Sequence, residues 1–230
     1  MKYSSQRSEV INISRQMNDC GINQGTSGNV STRVDDGFLV TGSGIAYDAM
    51  EPQHVVEVTL EGGYFGEFLP SSEWRMHLDI YRTRPEAGAV VHVHSPYATA
   101  LSCLGEDIPA FHYMIAVAGG DTIRCADYAT FGTEALSVNM LVALADRTAC
   151  LLANHGMICF APDLKTALAL AVEVETLCHQ FVIARQAGEP VILDAAEMEI
   201  ILAKFKTYGK QADELEDAGE QAVLAPKHLG

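Results

Sequence analysis

Two tight-turn signals within the first seventy residues limit what this chain can fold into. Asp36-Gly37 separates the runs 30–34 and 38–41, and Gly62-Gly63 turns the run 55–60 back on 64–68. Each run is short and rich in Val, Phe, Leu or Thr, and each turn pair accepts the left-handed backbone that a hairpin needs. Hairpins make neighbouring strands antiparallel, so a purely parallel, doubly wound sheet is excluded.

The rest of the chain alternates helix and strand patterns. Val10, Ile13 and Met17 recur at helical spacing over 5–20, and Gly21 stops that helix. Residues 73–84 read as a helix ended by Pro85, 89–94 as a β-branched strand, and 96–104 as a short helix. A short strand is expected at 123–126, a helix over 132–147 and a strand at 149–154, with 157–160 continuing as extended chain. A long amphipathic helix covers 163–186 before Gly188 and Pro190, and a last helix covers 195–208. Residues 210–230 are polar and acidic and are expected to be a mobile tail. The pattern predicts a single α/β domain over 1–209: a central, mostly antiparallel or mixed sheet flanked by helices.

Charge narrows the function classes. The net charge of −15 repels nucleic acid and anionic lipid, so neither is expected as a partner. Residues 1–14 hold no apolar block and are not read as a signal peptide. The longest apolar run, 166–174, is interrupted by Glu173 and followed by Glu175, so no membrane span is expected. Six scattered cysteines without a CxxC pair read as reduced core residues of a cytoplasmic protein.

Candidate chemistry concentrates on four residues. His92 and His94 lie two apart in a strand pattern, so both imidazoles point to one face and can ligate one metal. The bland alternative is a pair of half-exposed strand histidines. His155 ends a second apolar strand and precedes Gly156; if the strands are neighbours, three histidines converge as in a catalytic metal site with an open position. Glu73 opens the helix before the histidine strand. It reads first as a helix-dipole complement, or as an i,i+4 pair with His77. Spacing alone leaves either residue free to join a metal.

Three Gly- and Ser-rich segments form a second group: Gly25-Thr26-Ser27-Gly28-Asn29, Thr41-Gly42-Ser43-Gly44, and Ser71-Ser72 at a helix start. Backbone N–H groups, hydroxyls and a helix N-terminus together bind an anion, which answers how so acidic a chain can hold one. Singly, each segment reads as a turn. The absence of Walker and dinucleotide fingerprints argues against ATP and NAD. The six lysines, at 2, 165, 204, 206, 210 and 227, all lie near the termini or on polar helix faces, which disfavours Schiff-base chemistry.

The segments INQGTSGNVS, LPSSEWRMH, AVVHVHS, PAFHYMIAVAGG, IRCADYATFGT, NHGMI and KFKTYG run in order from about residue 21 to 209. Through them the chain resembles the class II aldolase/adducin family, on its sugar-phosphate aldolase branch. The resemblance implies a homotetramer with active sites between subunits and one Zn2+ per subunit, with Co2+ or Mn2+ able to substitute. It implies retro-aldol cleavage of a phosphorylated sugar, a ketose 1-phosphate, to dihydroxyacetone phosphate and an aldehyde. His92, His94 and His155 match the zinc ligands, and Glu73 matches a residue that is both ligand and acid/base. His77 is then structural. Thr26, Ser27, Gly28, Asn29, Ser43, Gly44, Ser71 and Ser72 match the phosphate pocket. Tyr113, from a neighbouring subunit, matches the group serving the aldehyde oxygen, and Phe131 and Tyr208 match the aldehyde pocket.

Within that family, an L-fuculose 1-phosphate type of substrate, giving an L-lactaldehyde type of product, is the first expectation. A 5-deoxyribulose or 5-methylthioribulose 1-phosphate is the second. The segments TGSG, HVHSPYA and NHGMI depart from the forms expected near the pocket and bear on the aldehyde half. A pentulose-phosphate 4-epimerase would be expected to carry Asp at position 73 and another near 112–113, where this chain has Glu73 and His112-Tyr113. The methylthioribulose-phosphate dehydratase branch also carries an HxHS segment, but its other motifs match less well. A non-enzymatic adducin-like module would lack the histidine set.

Overall fold

The computed structural model describes residues 1–206. Helix α1 (Ser4–Asp19) leads into the hairpin β1 (Asn29–Val34) and β2 (Gly37–Thr41), followed by β3 (Val55–Thr59) and β4 (Tyr64–Phe65). Then come α2 (Trp74–Thr83), β5 (Ala89–Val93), α3 (Pro96–Ser102), β6 (Cys125–Ala126) and α4 (Glu134–Ala143). The chain continues through β7 (Ala149–Leu152), β8 (Gly156–Ala161), α5 (Leu164–Ala187) and α6 (Ala195–Phe205). The strands form one sheet in the order β4-β3-β2-β1-β5-β8-β7-β6. Every pairing is antiparallel except β6 with β7, so the sheet is mixed, as the hairpin signals require.

Helices cover both faces of the sheet. On β5, Ala89, Val91 and Val93 pack into the layer that holds α1, α3 and α5, while Val90 packs toward α2 and α4. All five residues of β5 are buried, the signature of a central strand covered twice. This alternation sends His92 to the α2 face, the face shared by Asn29 and Ser31 of β1, which pair with His92 and Val90.

Several element ends differ from the sequence reading. The β1–β2 turn is Asp35-Asp36, and Gly37 already belongs to β2. Gly37 is needed for close approach, because a Cβ there would lie 2.1 Å from the carbonyl oxygen of Val58. Strand β4 stops at Phe65 because Gly66, with φ of 122°, leaves the extended region. Helix α4 starts later than expected, capped by the Thr133 hydroxyl accepting from the Leu136 N–H, and its last helical residue is Ala143. Residues 156–161 form a full strand that returns antiparallel along β7.

Helix α5, at 24 residues, is long and apolar enough to cross a membrane by length and composition, which the sequence reading did not anticipate. Here it is a core helix: Leu164, Ala167, Leu170, Ala171, Val174, Leu177, Cys178 and Phe181 are buried among the residues covering β5 and β8. All six cysteines are unpaired. Cys150, Cys159 and Cys178 are buried as expected, whereas Cys20 and Cys103 are exposed. The expected tail at 210–230 and the end of the last helix lie outside the described residues.

Candidate metal centre

The centre of the sheet delivers three histidines to one point. His92 is the fourth residue of β5, and His94 follows the strand on the same side. His155 lies in the three-residue turn joining β7 to β8, between the partners Leu152 and Gly156. Asn154 takes the left-handed conformation there, with φ of 55°, which asparagine tolerates better than most residues. Because β8 pairs directly with β5, the turn comes down beside His92 and His94. The three imidazoles meet edge to face, with centroids 4.8 to 4.9 Å apart. The strand that leads into His155, β7, does not neighbour the HxH strand as the convergence was expected to require: β8 lies between them, and the turn at 153–155 carries His155 across to the other two histidines.

Glu73 completes the set. It occupies the N-cap of α2, yet its carboxylate makes no capping hydrogen bond. The helix-dipole reading is therefore replaced by another: the carboxylate is buried and turned into the histidines. Its Oε2 lies 3.1 Å from His92 Nε2, and its Oε1 lies 2.9 Å from His155 Nε2. Asn29 Nδ2 donates to Oε2 at 2.9 Å. Oε1 receives no hydrogen bond of acceptable geometry despite its burial and the nearness of His155. One ligand atom from each of Glu73, His92, His94 and His155 falls within 4.8 Å of the others.

Electrostatics favour a cation at this point. Burial pushes the Glu73 carboxyl up, but the His92 charge and the close approach of His92 and His155 outweigh it and hold the group ionised well below the usual carboxylate range. Burial pushes His92 down and Glu73 pushes it up further, leaving it raised. Burial, then the charges of His92 and His155, lower His94 to about 4. His92 Nδ1 donates to the Met157 carbonyl at 2.8 Å, which fixes the ring and turns Nε2 inward, 3.0 Å from His94 Nε2. A backbone carbonyl on the far nitrogen is how metal-binding histidines are commonly oriented. The donor set of three imidazoles and a carboxylate, with one buried oxygen lacking a donor, fits a divalent metal.

Gly156 makes this approach possible. A Cβ there would lie 2.5 Å from the Val93 carbonyl oxygen and 3.0 Å from His94 Cδ2. Gly156→Ala is therefore expected to lower the unfolding free energy by roughly 1–3 kcal/mol and to weaken metal binding together with it. Denaturant midpoints and a metal titration on the same samples check this.

The Gly- and Ser-rich segments also come together. Gly42 bridges Pro70, Ser71 N–H donates to the Thr41 carbonyl at 2.9 Å, and Ser43 N–H donates to the Leu69 carbonyl at 3.0 Å. Thr41 Oγ1 accepts from Val30 N–H at 3.3 Å, tying both segments to β1. Thr26, Ser27, Ser43, Gly44 and Ser72 are exposed, and Ser71 is buried with its hydroxyl accepting from Glu73 N–H at 3.3 Å. Gly28 is spent on structure: its N–H donates to Asn23 Oδ1 at 2.9 Å, and a Cβ there would lie 2.6 Å from the His92 carbonyl oxygen.

A cleft of about 330 Å3 opens above the cluster of Glu73 and the three histidines, lined by Ser27, Ser72, Glu73, His94, Phe131 and His155 with Tyr128, Ala129 and Asn154. Sequence reasoning missed those last three; Tyr128 stands within CADYATF, three residues before Phe131, and Asn154 immediately precedes His155. Tyr113 is half exposed and does not line the cleft; it opens a 3-10 turn, Tyr113–Ala118, packed in the layer of α1, α3 and α5. Tyr208 lies outside the described residues. His77 stays out of the metal group and is buried against Ser31 and Asn29.

Residues 8–182 match the family model described as class II aldolase and adducin N-terminal domain. The chain belongs to that family. It is a class II aldolase, a lyase, and its relatives bear this out. A Rhodospirillum rubrum protein named 5-methylthioribulose-1-phosphate/5-deoxyribulose-1-phosphate aldolase is 52% identical, covering 90% of this chain and 93% of its own. An Escherichia coli protein named L-fuculose phosphate aldolase is 46% identical, covering 90% of this chain and 96% of its own. A solved structure titled L-fuculose 1-phosphate aldolase superposes on this aldolase with a TM-score of 0.86 at 41% identity, covering 90% of this chain and 98% of that one. The mixed sheet flanked by helices is thus the family fold.

Proposed function

We propose that this aldolase cleaves a ketose 1-phosphate into dihydroxyacetone phosphate and an aldehyde, using one Zn2+ held by His92, His94, His155 and Glu73. The convergence of those four ligand atoms at the floor of the cleft carries the reading. A bound divalent cation supplies Lewis-acid polarisation of the substrate carbonyl and stabilises the negative charge that develops when the carbon–carbon bond breaks. Glu73, held ionised and facing the cleft floor, accepts and returns the proton at the carbon released by cleavage. Tyr113 of a neighbouring subunit gives or takes the proton at the aldehyde oxygen; its exposure and its absence from its own cleft support a site shared within a homotetramer. The Tyr128, Ala129 and Phe131 wall shapes the aldehyde end, a role that the family resemblance also assigns to Tyr208. Removing the metal with a chelator is expected to abolish cleavage, and Zn2+, Co2+ or Mn2+ is expected to restore it. Activity that survives complete metal removal would overturn the reading.

Thr26, Ser27, Ser43, Gly44 and Ser72 line the proposed phosphate pocket, with Gly28, Asn29 and Ser71 buried behind them as its support, a reading supported by the hydrogen bonds that gather three segments around the N-terminus of α2. Unphosphorylated ketose is therefore expected to react far more slowly, with kcat/KM reduced by about 10²-fold or more, because binding energy from that remote group orients the reacting carbons. Equal kcat/KM for the two forms would remove the assignment.

Two substrates fit this chemistry. L-fuculose 1-phosphate is supported by the 46% relative and the superposed structure. The second reading, 5-deoxyribulose or 5-methylthioribulose 1-phosphate, is favoured by the 52% relative and by the aromatic wall at Tyr128 and Phe131, which suits an apolar substrate end. A side-by-side comparison of kcat/KM on these substrates decides between them.

A further inference from the structure

Behind Glu73 runs a buried file of polar side chains of which only Asn29, in the support of the proposed phosphate pocket, has been given a part in the cleavage site. Glu73, His77 and Tyr81 stand at i, i+4 and i+8 on one face of α2, and Asn29 and Ser31 stand at i and i+2 on the facing strand β1. The two sets interleave. Asn29 Nδ2 lies 2.9 Å from Glu73 Oε2, Asn29 Oδ1 lies 2.5 Å from His77 Nε2, His77 Nδ1 lies 2.6 Å from Ser31 Oγ, and Ser31 Oγ lies 2.8 Å from Tyr81 Oη. His77 and Ser31 have no exposed surface, Asn29 and Tyr81 are 2% exposed, and no water-facing alternative exists for any of them.

The direction of every bond follows from one charge. An ionised carboxylate only accepts, so the Asn29 amide must present its nitrogen to Glu73 and its oxygen to His77. His77 must then carry its proton on Nε2, which leaves Nδ1 to accept from the Ser31 hydroxyl, and Ser31 in turn must accept from Tyr81. Reversing any one bond leaves two acceptors or two donors face to face in a dry interior, which costs about 1–3 kcal/mol. Tyr81 anchors the far end, packed against Phe38 with ring centroids 5.0 Å apart and under the Arg33 guanidinium at 4.8 Å.

We propose that His77, oriented by Ser31 and Tyr81, is a positioning residue that locks the Asn29 amide as a donor to Glu73 and so fixes the carboxylate in register with the three histidines. This rests on the metal-centre reading above and extends it along α2. His77→Leu removes the N–H that sets the amide, and His77→Gln restores an N–H near the Nε2 position. With zinc, His77→Leu is expected to lose about 10- to 100-fold in metal affinity, the usual range for a group that orients a ligand. His77→Gln is expected to recover most of that loss. In the wild type, nitrogen-15 NMR of the apo and zinc-loaded protein should show His77 protonated on Nε2 alone, and Ser31→Ala should mix the tautomers and weaken zinc binding less than His77→Leu.

Equal zinc affinity in His77→Leu and wild type, equal losses in His77→Leu and His77→Gln, or an Nδ1-protonated His77 would each overturn the proposal. If His77→Leu does not fold, the tautomer and the zinc affinity of Ser31→Ala decide it. Failure of the metal-centre reading is separate: it would appear as wild-type protein that binds no zinc, whereas failure of this proposal appears as zinc binding indifferent to residue 77.

Discussion

Glu73→Gln is expected to keep much of the metal while turnover falls by roughly 10²-fold or more, equivalent to about 2.7 kcal/mol or more of transition-state stabilisation. The change is nearly isosteric, so α2 and its N-cap should not move. Three imidazoles remain, and three neutral nitrogen donors suffice for a catalytic site with open positions. What disappears is the ionised oxygen that His92, His155 and Asn29 hold in place. Solvent exchange at C3 of dihydroxyacetone phosphate needs no aldehyde, so it should fall in parallel with turnover. Tyr113→Phe should behave differently, slowing cleavage while leaving exchange intact, because in the proposed reaction the phenol serves only the aldehyde oxygen. If Glu73→Gln retained wild-type exchange, Glu73 would be a ligand only and the base would have to be sought elsewhere.

The second large effect is on the histidines. His92→Ala is expected to lose the metal and essentially all activity. The loss should exceed the 10- to 100-fold typical of groups that only orient a ligand. His92 is buried on every side, and its removal leaves the Met157 carbonyl without its donor and Glu73 without one of its two histidine partners. That variant is also expected to be less stable, so His94→Ala, at the more open edge of the cluster, separates loss of the proposed ligand from damage to the fold. About one zinc per chain in wild type, and far less in His92→Ala, His94→Ala and His155→Ala, is the expected outcome by elemental analysis. Full metal content in all three variants would sink the ligand assignment.

Much of the fold was legible because its signals are local. The hairpin turns near 36 and 62, the helical spacing of Val10, Ile13 and Met17, and the β-branched run around His92 all report on neighbours in the chain, and each element is present. The misplaced ends were set from outside the element. Gly37 reads as a turn residue, but its lack of a side chain is needed by Val58 across the β2–β3 pair. The run after His155 reads as loose extended chain because nothing local reveals that it has two partners, β5 and β7. The cysteines at 20 and 103 read as core together with the others, yet both face solvent, at the C-caps of α1 and α3.

The sequence by itself determined the donor types and one geometric relation: residues two apart on a strand share a face, so His92 and His94 had to point the same way. It also determined the shared face of Glu73, His77 and Tyr81, because a helix repeats every 3.6 residues. It could not say which of Glu73 and His77 reaches the metal, since both lie on that face. Only the tertiary structure decided that Glu73 is the one that joins the three histidines, through the pairing of β1 with β5 that sets Asn29 opposite His92. That register puts the N-cap carboxylate against the histidines and leaves His77, one turn later, against Ser31. Likewise, His155 lies more than sixty residues from His92. Their meeting depends on β8 inserting between β5 and β7, a long-range pairing that sequence periodicity cannot encode.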